Sequence, residues 1–136
     1  MKTIEQTAED LISRPDALAS VVAGHSQLPI LTFLEHPYNF VQEGLVNRLM
    51  ASGISADDAS KISLRSLILY ALTTQDIGSH WGSCAVTWLE SGFPIDSGVA
   101  SALEVVAQDK RFHQHVRHQA FSISNMWRKS HPGVGD

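Results

Sequence analysis

Three histidines, His113, His115 and His118, have the spacing that most invites a chemical reading. Histidine binds metals and carries protons near neutral pH. On a helix, residues three apart are neighbours, so His115 and His118 share a face. His113 falls about 200° around from His115 and cannot join them there. No carboxylate follows at ligand spacing, and the H-E-x-x-H pattern is absent. The pattern predicts a polar helix face of titrating imidazoles rather than a metal site. Cys84 is the single cysteine, and His80 precedes it by one helical turn. A thiol nucleophile needs such a base. Cys84, however, falls between Trp81 and Trp88 on an apolar stripe, where a free cysteine packs as a small hydrophobe. Glu35-His36 stands directly before Pro37 and reads as a helix end. No glycine-rich phosphate loop occurs. These residues assign no catalytic group, no metal and no cofactor, and the expectation is a protein that is not an enzyme.

Charge is more informative. The 136 residues carry 10 Lys+Arg and 14 Asp+Glu, a net charge of −4. Residues 1–107 hold five basic and twelve acidic side chains, whereas residues 108–136 hold five basic and two acidic. No Lys or Arg stands between Arg65 and Lys110. Asp57, Asp58, Asp76, Glu90 and Asp96 fall at predicted helix ends and turns. They form a candidate acidic patch for docking a basic partner and steering its approach. Lys110, Arg111, Arg117 and Arg128 form an alternative basic face on the last helix. Nucleic acid is disfavoured as a partner, because the rest of the chain repels phosphate.

The elements that must position these groups read as helices throughout. Period-two alternation is missing, and no Asn-Gly or Asp-Gly turn occurs. Ile4, Ala8, Leu11 and Ile12 give a first stripe, and Pro15 opens a second piece. A short helix is expected at 29–35 between prolines. Helices follow at 40–52, stopped by Ser52-Gly53, and at 56–74, opened by Ser55. Two more run over 79–91 and 96–108, the latter capped by Asp96. The last covers 112–129, with Phe112, Val116, Ala120, Ile123 and Trp127 on one stripe. Trp81, Trp88 and Trp127 are expected as core anchors. The fold class is all-α, a single compact domain of six or seven helices. Residues 1–39 form a helical cap, 40–130 a helix-pair stack and 131–136 a frayed tail. No secretory signal or membrane span is visible, which points to the cytoplasm.

A shift of 39 residues places Ser52-Gly53-Ile54 on Ser91-Gly92-Phe93, and Asp57 on Asp96. Within the same region Asp109, Val116-Arg117 and Ala120 echo an Asp…Val-Arg-x-x-Ala pattern. In these residues the chain resembles the HEAT-like helical repeat group over about 40–130. The resemblance implies antiparallel helix pairs, an Asp109 that helps to hold Arg117, and a surface that binds protein rather than an active site. Stacked amphipathic pairs do leave broad faces free. The expected function is therefore protein binding without catalysis. Its most specific form is an immunity protein or antitoxin that inhibits a cognate toxin, such as a basic nuclease, by direct binding. The alternative is an adaptor or assembly subunit whose basic last helix meets RNA or protein. A third reading is a histidine-based metal protein or enzyme.

Overall fold

A computed structural model describes residues 2–133. Among them every regular element is helical: nine α-helices and one 3-10 helix. The all-α expectation is met with more and shorter elements than the apolar spacing predicts. The chain forms two compact units, Met1–Tyr70 and Ala71–Asp136. No single described helix is long and apolar enough to cross a membrane.

The first unit opens with α1 (Ile4–Ser13), closed at its start by a reciprocal capping box between Thr3 and Gln6. That box satisfies two backbone donors that a helix start leaves orphaned. α2 (Pro15–Ala23) begins at the proline and ends at Gly24 in the left-handed region. The segment Leu28–Glu35 is a 3-10 helix rather than an α-helix. Pro29 lies in its first turn, Pro37 follows its end, and it buries Ile30, Leu31, Phe33 and Leu34. α1 packs on this 3-10 helix and on α4, defined below. Thr7 and Thr32 share a hydrogen bond of 2.8 Å across the first of these contacts.

Two helices expected as continuous are broken. The 40–52 helix divides into α3 (Tyr38–Gln42) and α4 (Leu45–Ala51). Glu43 turns extended and Gly44 takes φ +68, which no helix interior accommodates. The 56–74 helix divides into α5 (Ala56–Lys61) and α6 (Leu64–Thr73), with Ile62 extended. Ser63 restarts the chain, its Oγ accepting the Ser66 N–H at 3.1 Å. Serine there competes as a cap with the continuous helix. α6 runs across the boundary between the units.

The second unit holds α7 (Ser79–Glu90), α8 (Ser97–Ala107) and α9 (Gln114–Ser130). α9 packs along α8 and also against α7. Asp96 caps α8 by accepting the Val99 N–H at 3.0 Å. Trp88, Val99, Leu103, Val106 and Ala120 are buried. Phe112 does not start the last helix. It is buried in a turn closed by its N–H on the Asp109 carbonyl, and α9 begins two residues later. Trp88 is the fully buried tryptophan, while Trp81 and Trp127 are half-buried. The end of α9 at His131-Pro132-Gly133 is as expected, and the last three residues of the expected frayed tail lie outside the described residues.

The two Ser-Gly sites do share a structure. Gly53 N–H meets the Met50 carbonyl and Ile54 N–H the Leu49 carbonyl. Gly92 N–H meets the Leu89 carbonyl and Phe93 N–H the Trp88 carbonyl. Each is a paired C-terminal stop with a left-handed glycine and an apolar residue returning to the helix. The aspartates that the shift aligns differ. Asp96 is itself a cap, whereas Asp57 follows the cap Ser55 and pairs with Lys61 at 3.0 Å.

Candidate functional site

α9 presents the features from which a site can be built. Of the apolar stripe that the spacing predicts, Ala120 is buried in the unit's core, whereas Val116, Ile123 and Trp127 are half-buried. Two large apolar residues lie off that stripe: Phe121 is 60% exposed and Met126 67%. One flank of the helix borders a groove of 620 Å³ against the end of α7 and the turn before α8. Leu89, Ile95, Ile123, Met126 and Trp127 supply its apolar lining, and Glu90, His115, His118 and His131 stand among its polar residues. Gln119 Nε2 donates to Glu90 Oε2 at 2.6 Å and ties α9 to α7 beside the groove. His131 stacks on Trp127 at 4.4 Å between ring centroids and closes the helix end.

The histidine pattern divides as helical geometry requires. His115 and His118 lie on α9 and line the groove, and His113 is the residue before the helix. Among the described residues no group of three or more His, Cys, Asp or Glu is placed to hold a metal ion. Cys84 is half-buried rather than fully buried, and its Sγ lies 3.8 Å from His80 Nε2. His80 in turn meets the Trp81 ring edge-on at 4.8 Å.

Asp57 and Asp96 have local partners, Lys61 and the Val99 N–H, and Glu90 accepts from Gln119. Asp57 and Asp58 belong to the first unit, at the start of α5. Asp76, Glu90 and Asp96 belong to the second. Asp96 is used as a cap, Asp76 is exposed in the turn after α6, and Glu90 alone of the five lines the groove.

The basic candidates separate more sharply. Arg111 is gripped by Asp109 through Nη2 at 2.7 Å and donates from Nη1 to the Gln75 carbonyl at 2.9 Å. The Arg111 side chain, followed by the Arg111 backbone N–H, holds the Asp109 carboxyl below its ordinary pKa of 3.8. The same bond raises the pKa of Arg111. Asp109 thus holds Arg111, where the HEAT-like pattern implies Arg117. Arg128 donates to Ser101 Oγ at 3.0 Å and to Glu104 Oε1 at 2.9 Å. Lys110 is exposed. The Arg117 side chain makes no hydrogen bond or ion pair among the described residues, and its Nε is buried.

The groove residues Ile95, Gln119, Ile123 and Met126 were not marked as a site by sequence motif. The available signal was Phe121 and Met126, large apolar residues at positions where an amphipathic helix should be polar. Comparison with family models, with curated proteins and with solved structures finds no match. Fold and geometry together define an all-helical chain with an open apolar groove along its longest helix.

Proposed function

We propose that this protein binds another protein and does so along α9, without catalysis of its own. The observation that carries the reading is the 620 Å³ groove, whose lining surface is mainly apolar. Apolar grooves beside exposed methionine commonly receive an apolar face of a partner segment. The most specific form of the reading is an immunity protein or antitoxin that occupies a cognate toxin in the cytoplasm. The net charge of −4 supports a basic target, since opposite charge speeds capture. The RNA-binding alternative is weaker, because Arg111 and Arg128 already spend their charge on Asp109 and Glu104. A HEAT-like stack remains compatible as the scaffold of such a surface.

The test is capture of partners by the tagged protein at low salt, run beside Met126→Lys. Met126 is exposed enough for the variant to keep its fold. The expected result is one near-stoichiometric protein retained by the native chain and lost with the variant. Equal retention by both would remove the groove from the binding surface.

A further inference from the structure

A second depression, of 370 Å³, lies on the other flank of α9, against α8. Glu104 of α8 and Gln108 just after it border the depression on one side, and Arg117, Phe121, Asn125 and Arg128 of α9 on the other. His118 lines both this depression and the apolar groove, so it stands on the crest between them.

The charge here is unbalanced. Arg128 is matched by Glu104 at 2.9 Å. The Arg117 side chain has no partner among the described residues. Its Nε is shut away from solvent without a hydrogen bond, while its terminal nitrogens are not among the buried orphan atoms. A cation in this position has lost part of its hydration and gained nothing from the protein in return. The planar guanidinium presents its donors in a fixed fork, so little order is lost per hydrogen bond when a ligand binds.

We propose that this depression is a carboxylate site, filled by an acidic side chain of the partner. The assignment rests on the protein-binding reading for the source of the carboxylate, not for the site itself. Two arguments favour a carboxylate. A guanidinium offers paired donors that match the two oxygens of a carboxylate. The depression also carries one uncompensated positive charge, Arg117, which one carboxylate neutralises. A phosphate monoester, at about −1.5 to −2, would overshoot it and meet Glu104. Exposed Phe121 at the border suits the apolar stem of such a side chain. Because His118 joins the two cavities, a segment lying in the groove can reach Arg117 across the crest.

The experiment follows the Arg117 Nε–Hε resonance by NMR during titration of the whole protein. The probes are acetate, inorganic phosphate, and the blocked tripeptides acetyl-Ala-Glu-Ala-amide and acetyl-Ala-Gln-Ala-amide. Acetate and the glutamate peptide should give a saturable shift, with the glutamine peptide about tenfold weaker. The exposed Arg14 serves as the reference for nonspecific ion effects. The proposal is overturned if Arg117 responds no more than Arg14, or if phosphate at equal concentration binds more tightly than acetate. Arg117→Gln should abolish the response with the remaining spectrum unchanged. Loss of the response in Arg117→Gln with full retention of a captured partner would keep the carboxylate site and reject the partner as its source. The native protein alone decides the first point, so the result does not depend on the variant's folding.

Discussion

The Phe112 ring rests on the bare backbone of Gly82. A methyl group at Gly82 would lie 2.5 Å from Phe112 Cε1 and 3.1 Å from the Ala71 carbonyl oxygen. Gly82 sits inside α7, where alanine would ordinarily add about 1 kcal/mol of helix stability. Here the buried ring and the carbonyl leave no room, and overpacking costs about 1–3 kcal/mol. Gly82→Ala is therefore expected to destabilise the protein in urea unfolding, against helix propensity. Adding Phe112→Leu should recover part of that loss. A Gly82→Ala variant more stable than the native chain would show that the ring moves aside freely.

The Asp109–Arg111 pair predicts a pH dependence with a definite sign. Asp109 titrates below its ordinary value because Arg111 binds its charged form. The unfolded state then takes up protons at higher pH than the folded state does. The contribution is complete above the ordinary Asp value of 3.8 and is lost as pH falls through the lowered value. Asp109→Asn should lower the melting temperature at neutral pH, and the gap to the native chain should close in acid. A gap independent of pH would assign Asp109 a role in turn geometry alone. The pair is partly exposed, so high salt should narrow the gap.

Trp88 joins the core to the end of α7. It is 2% exposed, and its ring centroid lies 6.0 Å from that of Phe93, the residue that folds back after the Gly92 stop. Trp88→Ala should cost about 3–5 kcal/mol in chemical unfolding. That is a large share of the roughly 5–15 kcal/mol available to a small protein. A loss under about 1 kcal/mol would contradict the burial of this side chain.

Helix content and most helix ends were legible because they depend on local chemistry. The Ser-Gly stops after α4 and α7, the Asp96 cap and the Pro15 start each follow from one or two residues. The breaks at Gly44 and Ser63 were missed because apolar periodicity continued through them. Val41, Leu45 and Leu49 are all buried although the helix axis is interrupted between them. Phe112 reads as part of the last helix for the same reason: it continues the apolar stripe, but its ring lies against Gly82 and its backbone closes a turn on Asp109. The candidate site was less legible. Composition places charge without placing its partners, and Asp109 took Arg111 rather than Arg117 because two residues of turn bring them together. The groove escaped motif reading because Leu89, Ile95 and Met126 converge from separate elements.

The acidic residues provide the last prediction, which separates steering from contact. Asn caps a helix about as well as Asp, so Asp96→Asn should leave α8 intact, whereas Asp96→Ala should lose about 0.5–2 kcal/mol. The triple replacement Asp57→Asn, Asp58→Asn and Asp96→Asn removes three negative charges with little structural effect. If a basic partner is drawn in by the net charge of −4, the triple variant should associate more slowly. Its dissociation rate should change little, because Asp57 already pairs with Lys61 and Asp96 with the start of α8. Met126→Lys should show the reverse, with faster dissociation from the groove. Stopped-flow association at two salt concentrations distinguishes them. An unchanged association rate in the triple variant would reject the acidic residues as a steering surface.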